Sequence, residues 1–255
     1  MRYIAAAQTD IGTVKDTNQD SYCLKTASSK YGRTALILVC DGMGGLSKGE
    51  LASSEVVRTF SEWFENELPN ELGEWNWKRM AAIVTSKIKL LNKKIIDYGK
   101  KYDIQLGTTA TGMLVFGTKY MIFHVGDSRL YKFSYQLQIL TEDHTFINRE
   151  LKKGAITPEQ AKTHPKRNAL VQCIGVAGRV DPDITFGSLE NNVNYLICSD
   201  GFRHAVSEKE LFDNLSPNIV TTRTAMTKKM ADLIETIKER GERDNITAAM
   251  FRADF

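Results

Sequence analysis

The sequence predicts an α+β fold in which helices cover antiparallel sheets. Strand-like runs follow one another through short turns, and short connections favour antiparallel neighbours. The helix-like stretches stand in separate blocks, so the chain lacks the regular alternation of a βαβ fold. No linker rich in Pro, Gly or Ser and no block of like charge interrupts the 255 residues. We therefore expect a single domain over residues 1–255.

Apolar runs near the N-terminus predict the first strands. Tyr3–Gln8 and Ser21–Lys25 are the first two, and the continuous apolar run Ala35–Cys40 indicates a third strand that is buried. The polar segment 14–20, VKDTNQD, joins the first two strands. It is either a solvated connection or part of a site that offers a cation, acids and amides.

Two amphipathic helices are expected after the third strand, because apolar residues then recur at intervals of three and four. Pro69 and Gly73 break the pattern between them, so we expect an antiparallel pair that packs on a sheet. The apolar positions are Val56, Phe60, Trp63 and Phe64 in the first helix and Trp77, Met80, Val84, Ile88, Leu91 and Ile95 in the second.

The second half of the chain returns to strands. Residues 108–140 hold four strand-like runs, and the polar segment 145–165 contains a short helical piece. That segment is either a surface loop or a mobile flap beside a site. The remaining predicted elements are the strands Asp183–Leu189 and Asn194–Cys198, a long helix that carries Met226, Met230, Leu233, Ile234 and Ile237, and the strand Ile246–Phe251.

Composition and charge exclude several classes of protein. The 34 basic residues nearly balance 31 acidic ones and form no block, which gives no argument for nucleic-acid binding. The longest apolar run is far too short to span a membrane, and the N-terminus does not resemble a signal peptide, so we expect a cytoplasmic protein. The four cysteines form no CxxC pair and the four histidines no ligand spacing, which favours free buried thiols over a zinc site.

Four aspartates stand at the ends of separate strand-like runs: Asp41 in VCDGMGG, Asp127, Asp200 and Asp244. A single aspartate at such a place usually caps a turn. Four of them, gathered at one sheet edge, could not all stay ionised without a bound cation. Mg²⁺ and Mn²⁺ prefer such oxygen ligands, and the Gly42 carbonyl could add another. Two such ions can activate a water for displacement at phosphorus, which predicts phosphate-ester hydrolysis.

A second phosphatase chemistry must be weighed. Cys173 to Arg179 reads CIGVAGR, the Cys-x5-Arg spacing of phosphatases that attack phosphorus with a thiolate and bind phosphate with an arginine. No histidine precedes Cys173, and no Ser or Thr follows Arg179. We therefore interpret Cys173 as a small core residue and keep the thiolate mechanism as an alternative.

Six ordered motifs resemble those of the metal-dependent protein serine/threonine phosphatases of the PPM (PP2C) type, in their compact bacterial form. The resemblance extends from about Gln8 to Phe251 and rests on TDIGTVKDTNQDS, VCDGMGGLSKGELAS, HVGDSRLY, LTEDHT, LICSDGF and ERDNIT. It implies an αββα sandwich, with two central antiparallel sheets flanked by helices. It also implies a binuclear Mn²⁺ or Mg²⁺ centre whose activated water or hydroxide hydrolyses phosphoserine and phosphothreonine.

The resemblance assigns ligand roles by position. Asp41 would bridge both metals, the Gly42 carbonyl would bind the second, and Asp200 with Asp244 would hold the first. Asp127 would join Asp200 in a weaker third site.

The resemblance also implies roles outside the ligand set. Asp20 and Gln19 would orient metal-bound waters, and segment 145–165 would be the variable flap that influences substrate choice. The implied partners are phosphoprotein substrates and a Hanks-type Ser/Thr kinase in bacterial signalling, and the expected state is a monomer.

This chain departs from the family pattern at three positions. Lys15 replaces the usual arginine, so phosphate would meet a point charge instead of a two-pronged fork. Gln19 replaces a common glutamate and adds no negative charge. Met43 stands where many eukaryotic members carry a histidine, and it cannot donate a proton to the leaving group. We still expect Lys15 to bind substrate.

The rival hypothesis is a pseudophosphatase, which would bind phosphoproteins without turnover.

Overall fold

Ten strands form two five-stranded antiparallel sheets that pack face to face in this computed structural model, which describes residues 1–43, 48–176 and 178–255. The first sheet has the order β1-β10-β9-β6-β7, and the second has the order β2-β3-β4-β5-β8. The strands are β1 (Arg2–Asp10), β2 (Ser21–Ser29), β3 (Gly32–Cys40), β4 (Ala110–Phe116), β5 (Lys119–Val125), β6 (Arg129–Phe133), β7 (Leu137–Ile139), β8 (Asp183–Ser188), β9 (Asn194–Cys198) and β10 (Ile246–Asp254).

Helices cover the outer face of each sheet, which gives the expected αββα order of layers. A 3-10 helix, Leu68–Glu74, separates the two long N-terminal helices at the Pro69 and Gly73 break. The helices are α1 (Gly49–Asn66), α2 (Trp77–Tyr102), α3 (Phe146–Lys152), α4 (Pro158–Thr163), α5 (Asp200–Arg203), α6 (Glu208–Leu215) and α7 (Arg223–Glu239).

The apolar run of β3 is continuous because both faces of this strand are buried. Leu36 and Leu38 face α1 and α2, while Ile37 and Val39 pack between the two sheets. Alternate side chains of a strand point to opposite faces, so one run of apolar residues serves two cores. A third core lies between the first sheet and helices α6 and α7, where it contains Met226 and Met230.

Most predicted elements are present, but the sequence missed helix α6 and the short α5. The flap segment contains two short helices, α3 and α4, instead of one. The expectation that short turns join sheet neighbours is wrong for β5 and β6. Residues 126–128 carry the chain from the second sheet to the first, so these consecutive strands do not pair. Of the glycine-rich turn, Gly44 and Gly45 lie outside the described residues.

No helix in the described ranges combines the length and the apolar character needed to cross a bilayer.

Gly112 in β4 has no room for a side chain. A Cβ there would lie 2.1 Å from Phe123 Cζ, and the fully buried Phe123 ring stacks on Phe60 with 5.1 Å between centroids. We expect Gly112→Ala to lower the free energy of unfolding by about 1–3 kcal/mol, because a packed core cannot absorb the added carbon without strain. Urea denaturation measures this change.

The control is Gly112→Ala combined with Phe123→Leu, which removes the opposing ring. The double variant should be less destabilised than the sum of the two single changes. A Gly112→Ala protein that unfolds at the wild-type urea concentration would contradict this account of the packing.

Candidate metal centre

Four aspartates from four strand ends line one pocket at an edge of the sandwich. Asp41 follows β3, Asp127 lies between β5 and β6, Asp200 follows β9, and Asp244 precedes β10. The cavity has a volume of about 280 Å³, and its other lining residues are Lys15, Met43, Thr109, Asn168 and Leu170. The structure therefore brings together the four acids that the sequence singled out. Because they come from both sheets, the pocket lies across the seam of the sandwich.

The electrostatics of this edge disfavour simultaneous ionisation. Burial raises the pKa of Asp41 well above its usual value, and the neighbouring carboxylates raise it further. Burial raises the pKa of Asp127 to about 7, with an added contribution from Asp200, while the Arg203 charge opposes the shift. Crowded carboxylates of this kind hold protons unless a cation neutralises them.

Asp20 belongs to the same electrostatic group, although it does not line the pocket. Its side chain is buried, and burial raises its pKa to about 7. Hydrogen bonds from Thr247 and Ser199 lower the pKa, whereas the Asp200 and Asp244 charges raise it. Asp20 therefore interacts electrostatically with the acid cluster, while its expected orientation of metal-bound water stays a prediction.

Two buried carboxylate oxygens, Asp20 Oδ2 and Asp200 Oδ1, have no hydrogen-bond partner in the described part of the chain. A buried oxygen without a partner is costly, and a cation would satisfy it. Within the same residues, no group of three or more His, Cys, Asp or Glu side chains converges closely enough to hold an ion by itself. The oxygen-only donor set fits hard ions such as Mg²⁺ and Mn²⁺, which commonly keep several waters.

Lys15 supplies the nearest positive charge to Asp244. Its Nζ lies 2.9 Å from Asp244 Oδ1, so the lysine expected to bind phosphate contacts an expected metal ligand here. Asn245 fixes the loop that carries Lys15: its Nδ2 donates to the carbonyls of Ile11 and Thr17, and its Oδ1 accepts from the Gln19 amide. The sequence analysis missed Asn245, although it follows Asp244 directly in the ERDNIT motif.

Gly42 and Gln19 fix the turn after β3. The Gln19 carbonyl accepts a hydrogen bond from the Gly42 amide at 3.1 Å, and a Cβ on Gly42 would lie 2.4 Å from that same oxygen. The side chain of Gln19 donates to Glu50 Oε2 of α1 at 3.3 Å and does not line the pocket. Gly42 is buried. Glu50 is a further acid near this turn that the sequence analysis did not consider.

Thr109 anchors Asp41 from the neighbouring strand. Its hydroxyl accepts a hydrogen bond from the Asp41 amide at 2.9 Å, and its own amide donates to the Asp41 carbonyl at 2.8 Å. Only the pairing of β3 with β4 places Thr109 here, so sequence reasoning had no signal for it.

Two arginines support the Asp127 loop. Arg203 donates to the Asp127 carbonyl at 3.1 Å and lies 3.5 Å from the Asp143 carboxylate. Arg129 forms a two-pronged pair with Asp143, with both contacts at 2.8 Å. Arg129 and Asp143 lie in motifs that the sequence analysis quoted, but their pairing depends on the fold.

The histidines divide between structure and site. His124 is buried and hydrogen-bonded to Thr111, as expected for a structural residue. His204 is different, because its Nε2 lies 3.7 Å from Asp200 Oδ2. The sequence analysis missed this contact, and its only signal was the spacing of four residues on one helical turn.

The geometry disfavours a thiolate nucleophile. Cys173 is only 5% exposed, and burial raises the pKa of its thiol to about 11. The side chain of Arg179 is 85% exposed and lies 3.9 Å from Asp181. Ala177, between them, lies outside the described residues. All four cysteines are free and buried, as expected.

The chain is similar in sequence to known proteins. The model of the protein phosphatase 2C family matches residues 13–248. Protein phosphatase PhpP of Streptococcus pneumoniae is 31% identical over 247 residues, which cover 95% of this chain and 94% of the relative.

Solved structures have the same fold. The serine/threonine phosphatase Stp1 of Staphylococcus aureus superposes with a TM-score of 0.85 at 28% identity, covering 100% of this chain and 96% of that one. The catalytic domain of the phosphatase PstP, solved with two manganese ions, gives a TM-score of 0.78 at 27% identity over 99% of each chain. The motifs, the fold and the family match agree, and the chain belongs to the protein phosphatase 2C family.

Proposed function

We propose that this chain is a metal-dependent protein serine/threonine phosphatase that hydrolyses phosphoserine and phosphothreonine. The observation that carries the proposal is the group of buried carboxylates at one edge, with raised pKa values and two unpartnered oxygens. A stable protein tolerates such a group when cations complete it. We propose further that residues 1–255 act as one cytoplasmic catalytic domain and as a monomer, with segment 145–165 as its flap.

Each acid has a proposed role. Asp41, Asp200 and Asp244, with the Gly42 carbonyl, would hold two Mn²⁺ or Mg²⁺ ions, and Asp127 would contribute to a weaker third site. Bound ions of this type supply Lewis-acid activation of water and neutralise the charge of a phosphate.

The chain's own residues would orient and hold the reactants. Asp20, whose carboxylate interacts with the charges of Asp200 and Asp244, would accept hydrogen bonds from ordered water, and Gln19 would support that role through the turn it anchors. The single ammonium group of Lys15 contacts Asp244 in this structure. It would bind the phosphate once an ion has replaced it on Asp244. Met43 lines the pocket but carries no transferable proton. A proton for the leaving group would therefore come from solvent.

Phosphoproteins are the proposed substrates, and a Hanks-type Ser/Thr kinase is the proposed opposing partner. The second candidate function is a pseudophosphatase that binds phosphoproteins without turnover. The Lys15–Asp244 contact favours it, because a lysine on an expected ligand can replace an ion. The unpartnered oxygens of Asp20 and Asp200 favour the active enzyme, because the lysine leaves them unsatisfied.

Asp200→Asn should reduce Mn²⁺-dependent hydrolysis of p-nitrophenyl phosphate by more than about a hundredfold. Loss of even a supporting group costs about 10–100-fold at metal sites, and an expected ligand should cost more. Isothermal titration should show weaker Mn²⁺ binding in the same protein. The matched control is Asp232→Asn on α7, which pairs with Lys228 on the surface. Wild-type turnover by Asp200→Asn at saturating Mn²⁺ would rule out this ligand role.

Lys15→Ala should raise KM for a phosphothreonine peptide by about tenfold and lower kcat less, because one charged contact to phosphate is worth roughly 1.4 kcal/mol. The same protein should bind Mn²⁺ more tightly by titration, since no lysine then competes for Asp244. Lys15→Arg serves as the control that keeps the charge. Unchanged KM together with unchanged Mn²⁺ affinity would show that Lys15 serves neither purpose.

The metal-free protein should lose stability as pH rises. The folded-state pKa values of Asp20 and Asp127 are about 7, above the usual 3.8. Between these two pH values the folded state therefore binds more protons than the unfolded state. The stability that this supplies is complete below about pH 4 and disappears through about pH 7. Urea unfolding in EDTA measures it across this range.

Asp20→Asn should flatten that pH profile, and saturating Mn²⁺ should reverse its slope by favouring the ionised acids. A metal-free wild-type protein whose stability rises from about pH 5 to pH 7, with no effect of Asp20→Asn, would contradict the raised pKa values.

A further inference from the structure

We propose that the flap and the turn that follows it carry a docking surface for acidic side chains that flank the phosphorylated residue of a substrate. The surface, here called the basic face, consists of Lys162, Lys166 and Arg167. This inference rests on the proposed phosphatase function, because it assigns a substrate class to the same pocket.

The charge of the chain is concentrated beside that pocket. Residues 145–170 contain six basic side chains and two acidic ones, a net charge of +4, whereas the whole chain carries +3. The rest of the chain therefore sums to −1, and the pocket itself is lined with carboxylates. A positive surface next to an acidic pocket is the arrangement that can attract an anionic peptide towards it.

Half of these basic residues already have acidic partners. Arg149 and Lys153 pair with Glu150, and Lys152 pairs with Glu142. The three residues of the basic face are exposed and form no ion pair with any described residue, and Lys166 Nζ lies 5.4 Å above the Phe146 ring. Their charges remain available to a partner.

The basic face is linked to the pocket through Arg167, which is followed directly in the chain by the pocket residue Asn168. Lys166 and Arg167 lie in a turn closed by hydrogen bonds from the Arg167 amide to the His164 carbonyl and from the Ala169 amide to the Lys166 carbonyl. The next residue, Asn168, lines the acidic pocket, as does Leu170. A phosphorylated side chain that reaches the acids would place its neighbouring residues beside this turn.

The turn is held in place by contacts at its base. The Phe146 amide donates to the Ala169 carbonyl and the Val171 amide to the His144 carbonyl, both at 2.8 Å. The Phe146 ring also stacks on His164, with 5.1 Å between centroids. Placement on a tied turn lowers the entropy cost of binding compared with a free loop.

Acidic side chains can bind the basic face because its three cations are exposed and form no ion pair with each other or with described acids. Carboxylates on a flexible peptide can pair with each of them, and every such exposed pair contributes little by itself and weakens in salt. The expected signature is therefore a substrate preference that is modest, carried by KM and sensitive to ionic strength.

The test compares two phosphothreonine peptides that differ only in carrying flanking glutamates or flanking glutamines. With Mn²⁺ at low salt, the full chain should hydrolyse the glutamate peptide with a kcat/KM about tenfold higher, mainly through KM, and added salt should remove the difference. The variant Lys162→Gln/Lys166→Gln/Arg167→Gln should lose the preference and keep wild-type hydrolysis of p-nitrophenyl phosphate.

The matched control is Lys30→Gln/Lys78→Gln/Lys119→Gln. It removes the same charge at exposed positions. Lys30 and Lys119 lie near the ends of β3 and β5 that are opposite the acids, and Lys78 lies in the first turn of α2. This variant should keep the peptide preference. Equal kcat/KM for both peptides in the wild type, or an unchanged preference in the basic-face variant, would overturn the proposal.

The design separates this inference from the proposed function. Turnover of p-nitrophenyl phosphate without a peptide preference would reject the basic face alone. Absence of turnover with every substrate would reject the phosphatase. Fluorescence anisotropy with the two labelled peptides would then test the charge preference by binding alone. Tighter binding of the glutamate peptide that depends on the three residues of the basic face would support the preference, and equal binding of both peptides would overturn it.

Discussion

Mutual repulsion among buried carboxylates is the constraint on which the candidate site depends. Burial and like charge raise the pKa values of Asp20, Asp41 and Asp127 together, so the acids can be fully ionised only beside positive charge. Lys15 offers one such charge to Asp244, and Arg203 offers another to the Asp127 loop. Neither reaches the unpartnered oxygens of Asp20 and Asp200. Within the described residues these two oxygens have no compensating partner, and a bound cation could supply one.

Hydrogen bonds near Asp41 and Asp244 hold the backbone in place against this repulsion. Thr109 hydrogen-bonds to both the backbone amide and the carbonyl of Asp41. Asn245, the residue after Asp244, hydrogen-bonds to the N-terminal loop. Backbone bonds of this kind hold the chain in place without neutralising the carboxylates. The carboxylate groups are therefore held in position without being used for the anchoring, as electrostatic preorganisation requires.

The layers of the fold and the acids of the site could be predicted because both leave local signals. The continuous apolar run of β3 and the three-and-four spacing in α1 and α2 report burial directly. The passage of residues 126–128 between sheets left no such signal, because a short turn usually joins neighbours. Contacts between distant residues were also beyond reach: the Lys15–Asp244 pair and the Gln19–Glu50 hydrogen bond depend on side-chain placement across the fold.

The position of the acids across the seam has a consequence for the middle layer of the sandwich. Asp41 follows a strand of one sheet, while Asp200 and Asp244 adjoin strands of the other. The spacing of these carboxylates is therefore set by the side chains packed between the sheets, among them Ile37 and Ile197. Apolar residues of the middle layer thus help to set the distances between the acids. A change of side-chain volume in this inner layer would therefore alter the spacing of the acids more directly than a change in the outer helical cores.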